Sequence, residues 1–472
     1  MLRYVKFLLL VTAVVGLGGC TLAPKYTRPQ APIPAEWPSG AAYKEAPVTP
    51  ATPRATDLHW REFYRDERLQ KIIRMALDNN RDLRTAALNV EKARALYGIQ
   101  RAQLFPTLDA FAAGERQRIP GDLSSDGKSK TTQQYSANLG VLSWEIDFFG
   151  RIRSLKDRAL EEYLATEEAR RSAQILLISE IAQVYLSLAA DREGLNVTRS
   201  TLRTQQEAYD LIRRRYEVGL APELDLRQAQ TRVDAARVDE ALFVRLVAQE
   251  ENALDLLAGA PVPADLLPPD LSAVKPTVDI SPGLSSEVLL QRPDILQAEH
   301  LLKANNADIG AARAAFFPRI SLTTALGTAS ADLTGLFSAG SFVWNYAPQV
   351  IMPIFDARLW SALKASKAQR EIALAQYEKA IQNAFREVAD VLAVRGTVEE
   401  QLTAQESVVH AQAETYRLSN ARYTKGIDNY LGVLDAQRSL YAAELRLINI
   451  RLEKLSSQVK LYAVLGGGWD AT

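Results

Sequence analysis

The chain is written twice. Leu104-Phe105-Pro106 aligns with Phe316-Phe317-Pro318, and in that register Asp82 falls on Asp294, Ala86 on Ala298, Gly98 on Gly310 and Ala102 on Ala314. A second block, Arg215-Tyr216-Glu217-Val218-Gly219, aligns with Arg422-Tyr423-Thr424-Lys425-Gly426, carrying Leu224 onto Leu431 and Ala229-Gln230 onto Ala436-Gln437. Two matched blocks in the same order at nearly the same spacing mean that each half encodes one structural unit. A Pro-rich stretch near 261–282 separates them.

Each unit reads as helix, two strands, very long helix, short turn, helix. In the first, Leu69, Ile72, Ile73 and Leu77 recur at helical spacing, and the pattern continues to Leu104, where Pro106 ends it. Tyr135, Ala137, Leu139 and Val141 then alternate with Ser136, Asn138 and Gly140, a strand with one apolar and one wet face. Its counterpart sets Ile320, Leu322, Thr324 and Leu326 against Ser321, Thr323 and Ala325. Phe342, Trp344 and Tyr346 alternate with Val343, Asn345 and Ala347, and this aromatic row suits a lipid-interface girdle. Thr107 to Ala113 alternates weakly and is assigned as a strand by symmetry.

Proline is missing between Pro120 and Pro222 and again after Pro353. Ile152 to Val218 can therefore form one helix, roughly 100 Å long at 1.5 Å per residue. Ile181, Leu188, Leu195, Leu202, Tyr209 and Tyr216 recur every seventh residue, as do Val388, Arg395, Leu402, Val409, Tyr416 and Tyr423, a coiled-coil seam that needs partner helices. Gly219 and Gly426 stand where left-handed helix caps belong. Asp428 or Asn429 is placed to cap the returning helix in the second half, whereas Ala221-Pro222 offers no capping oxygen in the first.

The single cysteine, Cys20, ends Leu17-Gly18-Gly19-Cys20 behind a basic stub (Arg3, Lys6) and an apolar run from Phe7 to Val15. The run is shorter than the about 20 residues a transmembrane helix needs. This layout is that of a bacterial secretory signal and resembles a lipobox, whose cysteine receives an S-diacylglycerol and an N-acyl lipid. Thr21 is not the aspartate that, by resemblance to the lipoprotein sorting rule, retains such proteins at the inner membrane. Outer-membrane localisation facing the periplasm follows.

Lysine plus arginine and aspartate plus glutamate number 56 each, so no basic excess points to nucleic acid. His59, His300 and His410 form no metal-ligand pattern, no phosphate loop or nucleophile elbow appears, and no cofactor is implied beyond the lipid. Gly466-Gly467-Gly468 reads as a flexible stop. The expectation is a protein that is not an enzyme.

Four amphipathic strands cannot close a barrel, and lipid offers open edges no partners. If the strands span a membrane, several copies must each donate four. The architecture expected is mainly α with a membrane β-barrel. A signal peptide occupies 1–19 and a lipidated extended segment 20–65. The first repeat is 66–265, with strand pair 106–147 and hairpin 151–258; a linker covers 266–283. The second repeat is 284–466, with strand pair 318–355 and hairpin 357–465, followed by a tail, 467–472.

Trp60-Arg61-Glu62-Phe63-Tyr64, Asn79-Asn80-Arg81-Asp82-Leu83, Arg292-Pro293-Asp294-Ile295, the run Gly310 to Pro318 and the run Tyr430 to Arg438 together form a specific combination. By them the chain resembles the outer membrane factor family, the TolC-like exit ducts, and within it the OprM-like multidrug efflux lipoproteins. It implies a homotrimer with a twelve-stranded barrel and a periplasmic α-barrel, working passively with a periplasmic membrane-fusion adaptor and an inner-membrane resistance-nodulation-division (RND) pump. The family pattern Tyr-x-x-Gly then Leu-x-x-x-Asp falls on Tyr423, Gly426, Leu431 and Asp435. It implies a periplasmic gate of Tyr423, Leu431, Asp435 and Arg438, with Gly432 where some members carry a second acid. It also implies adaptor docking at Val218, Gly219, Leu220, Gly426 and Asp428. Two readings compete: a periplasmic coiled-coil scaffold lipoprotein without a pore, which bilayer conductance separates from a duct, and a lipid-anchored enzyme, which a residue whose replacement abolishes turnover would revive.

Overall fold

The computed structural model describes residues 21–44, 53–281 and 285–469. Cys20 and the signal segment lie outside them. Among the described residues the main elements are α1 (Glu67–Asn79), α2 (Arg81–Ala102), β1 (Asp109–Ile119), β2 (Lys130–Ile146), α3 (Arg151–Glu217), α4 (Glu223–Ala258), α5 (Pro293–Ala314), β3 (Arg319–Ser330), β4 (Phe342–Ile351), α6 (Ala357–Thr424) and α7 (Tyr430–Val464). The chain divides into two compact units. One contains Met1–Gln30, Asn89–Glu167 and Gln297–Tyr377; the other contains Ala31–Leu88, Glu168–Leu296 and Glu378–Thr472.

The first unit holds a four-stranded antiparallel sheet in the order β1-β2-β3-β4, so β1 and β4 are its edges. The register sets Ala110 opposite Leu139, Leu139 opposite Leu326 and Leu326 opposite Trp344. Leu139, Leu326 and Trp344 are all exposed, as are Phe342 and Tyr346. One face of the sheet thus carries an uncovered apolar row. The neighbouring row, Gly140, Ala325 and Asn345, is small and polar. The expected strand at Thr107 to Ala113 begins at Asp109 and runs on through Glu115-Arg116-Gln117-Arg118. Its partner β2 sets that length by pairing as far as Ile119 with Lys130.

The second unit is helical. Its core takes the heptad seam, with Ile181, Leu188 and Val388 fully buried alongside Tyr185 and Tyr462. Part of α3 is apolar enough by composition to cross a membrane, but Ile178, Ile181, Tyr185 and Leu188 within it are inside this core. Arg395, a charge on a seam position, donates from Nη2 to Asp279 Oδ1 at 2.7 Å and from Nη1 to the Ile280 carbonyl at 3.3 Å, so the seam there holds the linker.

Two expectations are corrected. The opening helix is broken at Asn80, whose Oδ1 accepts from Leu83 N at 2.9 Å while Nδ2 donates to the Leu257 carbonyl at 2.9 Å. It caps α2 and ties it to the end of α4 at once. The glycine run is not a loose stop. Leu465 to Gly468 are buried, Gly467 N donates to the Tyr462 carbonyl, and a β-carbon on Gly467 would lie 2.3 Å from the Tyr462 ring. Trp469 beyond it lies under the Arg171 guanidinium, 4.5 Å away.

Candidate functional site

The two hairpin turns of the second unit carry the residues the sequence singled out. α3 ends in a Schellman motif: Leu220 N donates to the Arg215 carbonyl at 2.7 Å and Gly219 N to the Tyr216 carbonyl at 2.9 Å. α6 ends the same way, through Ile427 N to Arg422 O at 3.0 Å and Gly426 N to Tyr423 O at 2.9 Å. Both glycines are left-handed, with φ of +76° at Gly219 and +72° at Gly426. A β-carbon there costs about 1 to 2 kcal/mol in backbone strain.

The turns differ chemically. Val218 and Leu220 point two aliphatic side chains into solvent, 69% and 70% exposed. At the other turn, Asp428 does not cap α7. Its carboxylate pairs with Arg422 at both oxygens, Nη2 to Oδ1 at 3.1 Å, and this held geometry keeps the carboxyl below the usual aspartate range. Asn429 occupies the N-cap position without a side-chain capping bond. Pro222 is the N-cap of α4, likewise without one.

Beneath the turns lies a small core of Ile212, Ala229, Tyr430, Val433 and Leu434, with Tyr416 and Tyr423 packed against it. Burial, followed by the neighbouring Tyr416 and Tyr423, pushes the Tyr430 phenol well up. One face of α7 is committed to this core. Leu431, Asp435 and Arg438, spaced four and three residues apart, fall on another. Leu431 is 55% exposed, and Arg438 Nη2 donates to Asp435 Oδ1 at 2.6 Å with both side chains open to solvent. A pair at this spacing and exposure contributes only a few tenths of a kcal/mol, about 0.2 to 0.5, to its own helix. Its charges and the Leu431 side chain are available to something outside the chain.

Tyr423 is not part of that stripe. Its hydroxyl accepts from Arg215 Nη1 at 2.8 Å and its ring lies 5.0 Å from that of Tyr430. The residues assembled at the turns are therefore an exposed row on α7 and, separately, a Tyr423–Arg215 tie between α6 and α3. Sequence reasoning missed Arg215, Arg422 and Tyr430, although Arg215 and Arg422 are aligned positions of the repeat. Among the described residues, no group of three or more potential ligands is placed to hold a metal. His300 instead sits 2.6 Å from Glu161.

A family model described as outer membrane efflux protein matches this chain at residues 72–260 and again at 284–467. The chain belongs to the outer membrane efflux protein family. It is 50% identical over 462 residues to the probable efflux pump outer membrane protein TtgC of Pseudomonas putida, covering 98% of this chain and 95% of that one. Among solved structures, a membrane protein from Pseudomonas aeruginosa superposes with a TM-score of 0.87 at 42% identity, covering 95% of this chain and all of that one. The MtrE outer membrane channel of Neisseria gonorrhoeae, in its open state, superposes at 0.85 and 37% identity, covering 95% and 98%. Of these relatives, TtgC is named as an efflux pump outer membrane protein and MtrE as an outer membrane channel.

Proposed function

We propose that this chain is the outer-membrane exit duct of a tripartite efflux system, passively conducting small molecules handed to it by a periplasmic adaptor and an inner-membrane RND pump. The observation that carries the reading is the open sheet. Among the described residues β1 and β4 each pair on one side only, and an apolar face lies uncovered between them. A sheet in lipid must close. Three copies donating four strands each close a twelve-stranded barrel, with the Leu139–Leu326–Trp344 row toward lipid and the Gly140–Ala325–Asn345 row toward the lumen. Each half of the chain is one copy of the repeated unit in this assembly, and the long helices of all copies continue the barrel as a helical tube. Cys20 carries the lipid.

The α7 stripe forms the gate. Leu431 from each copy makes an apolar ring and Asp435 an acidic one, and Arg438 offsets the mutual repulsion of the acids in the closed state. Gly432 leaves the acidic ring thin. Tyr423 serves the gate through its tie to α3. Val218, Gly219 and Leu220 at one turn, and Gly426 with Asp428 at the other, are the adaptor's grip. Asp435 and Arg438 pair with each other within the chain and remain exposed, so the pair is free to face its counterparts in the other copies.

Subunit stoichiometry with planar-bilayer conductance of the purified protein tests the duct. A trimer that conducts supports it, and a well-behaved monomer without conductance returns the pore-less scaffold. Asp435→Asn and Arg438→Ala are expected to raise conductance through the closed duct, and unchanged single-channel values in both would remove the gate assignment.

A further inference from the structure

Residues Thr21 to Arg28 have no helix or strand, yet they are held along their whole length by one face of α5. Arg313 Nη1 donates to the Leu22 carbonyl at 3.0 Å, and Asn306 Nδ2 to the Pro24 carbonyl at 2.7 Å. Tyr26 Oη donates to Glu299 Oε1 at 3.1 Å, and Arg28 grips Glu299 Oε2 through Nε at 3.1 Å and through Nη2. Lys303 Nζ adds a contact to Glu299 Oε1 at 3.1 Å and lies over the Tyr26 ring. Between Asn306 and Arg313, Gly310 gives the strap room. A β-carbon there would lie 2.8 Å from Ala23 and 2.6 Å from Ser154 Oγ.

Glu299, Lys303, Asn306, Gly310 and Arg313 succeed one another at steps of four and three, which is one stripe of a helix. The strap runs along it antiparallel, Leu22 at the C-terminal end and Arg28 at the Glu299 end. Glu299 and Asn306 are buried, 5% and 6% exposed. Polar side chains that deep are retained only with partners, and here residues of the strap supply them.

The repeat gives a control within the chain. The positions of α2 matching Glu299, Asn306 and Gly310 are Ala87, Arg94 and Gly98. α2 has no buried residue, and a β-carbon on Gly98 would meet nothing within 4 Å. Among the described residues, only the second copy of this helix is fitted to a strap.

The strap ends at a particular place. Thr21 Oγ1 lies 3.2 Å from Ser154 Oγ, in the first turn of α3, just after β2. Arg313, which holds Leu22, is in the last turn of α5, just before β3. The first described residue after Cys20 is thus fixed at the junction of strands and helices. Loose, eight extended residues would let an attachment point wander by about 26 Å.

We propose that this stripe of α5 is a docking track for Thr21–Arg28 that fixes the lipid attachment point at the foot of the four-stranded sheet, with Glu299 its principal positioning residue. The role rests on the reading that Cys20 is lipidated; the track itself does not. The track removes the slack between anchor and sheet, so that acyl chains and apolar strand faces enter the same leaflet together.

The test uses the full-length protein in outer-membrane vesicles from cells fed labelled palmitate. Lys25 is exposed within the strap, and trypsin cutting there separates the labelled end from the body. Wild type is expected to release label slowly, and Glu299→Ala, Arg28→Ala and Gly310→Val at least ten-fold faster. Arg28→Ala leaves α5 intact and carries the comparison if Glu299→Ala fails to reach the membrane. Labelled protein that releases at the wild-type rate in all three variants overturns the track. Acceleration confined to Glu299→Ala reports damage to α5 and also overturns it. Unlabelled wild type with Lys25 still protected, shown by mass spectrometry of the body, sinks the lipidation reading and with it the anchoring role.

Discussion

Arg215, in the last turn of α3, donates a hydrogen bond of 2.8 Å to the Tyr423 hydroxyl in the last turn of α6, with its guanidinium 5.8 Å from the ring centre. The two residues tie the tip of the first hairpin to the tip of the second. Tyr423 in turn packs on Tyr430, the first residue of α7 and next neighbour of Leu431. Tyr423→Phe keeps the packing and deletes the bond, which in an exposed setting costs about 0.5 to 1.5 kcal/mol. With the turns acting as the proposed gate, the variant is expected to raise closed-state conductance modestly, and Arg215→Ala to raise it at least as much, since it also removes the guanidinium from over the ring. The double variant is expected to match Arg215→Ala, because that change already removes everything Tyr423→Phe does. Fully additive effects would show that Tyr423 and Arg215 act separately.

Glycine serves two different purposes here, and alanine separates them. Gly219 and Gly426 have left-handed backbones with open space around them. Alanine at either is expected to cost about 1 to 2 kcal/mol, read as a lowered unfolding midpoint with packing unchanged. At Gly467 the added methyl meets the ring of Tyr462, which stacks on Phe63 at 3.9 Å between centroids in the middle of the core. Gly467→Ala should destabilise more than either tip variant, in the range of about 1 to 3 kcal/mol for overpacking or more. A midpoint above theirs would mean that the C-terminal run is not packed as described.

What the sequence made legible is what local chemistry decides. The heptad seam at Ile181, Leu188 and Val388 is buried; helices end before Pro106 and Pro318; Gly219 and Gly426 take positive φ. Each follows from residue type and spacing. What stayed hidden depends on partners far along the chain. The break at Asn80 is stabilised by a carbonyl at Leu257, and Arg395 sits on a seam because Asp279 waits for it. β1 is as long as β2 makes it, although Glu115 to Arg118 have no strand pattern of their own. At the candidate site, Leu431, Asp435 and Arg438 were singled out by the family pattern, but the engagement of Tyr423 by Arg215 carried no such signal. Both belong to aligned motifs, and alignment shows equivalence between halves without showing contact between them.

The motif Arg292-Pro293-Asp294 also has a physical task. Pro293 opens α5, and Arg292 just outside it donates to Asp294 Oδ1 at 3.0 Å and Oδ2 at 2.7 Å, to Glu387 at 3.0 Å and to the Val464 carbonyl at 2.7 Å. Burial alone would lower this guanidinium's pKa; the bonds and charges of Asp294 and Glu387 outweigh that and raise it. The contact to Val464 satisfies a carbonyl in the last turn of α7. Lysine has one ammonium where the site needs a fork. Arg292→Lys is expected to lower stability by about 1.5 to 3 kcal/mol, seen as a lower denaturation midpoint. Arg292→Met leaves two carboxylates that remain partly open to water, so its cost should be similar rather than that of a stranded buried charge. Wild-type stability in Arg292→Lys would show that the fork geometry is dispensable.

The α5 track should respond to acid. Burial pushes the Glu299 carboxyl up, but hydrogen bonds from Arg28 and Lys303, with their charges, overcome this and hold it below its ordinary range. The other groups facing it are Tyr26 and, from α6, Tyr377. Burial raises both first of all, so both stay neutral throughout the acid range. A carboxyl with a lowered folded-state pKa contributes stability that is fully present above its unfolded value, about 4.3, and is lost as pH falls through the folded one. The strap should therefore be held at neutral pH and loosen only below about pH 4.3. A spin label at Thr27→Cys in a Cys20→Ala background reports this as a mobile fraction that grows on acidification. Glu299→Gln is expected to be mobile already at pH 7 and to show no titration. An unchanged titration in that variant would assign the acid response to a different group.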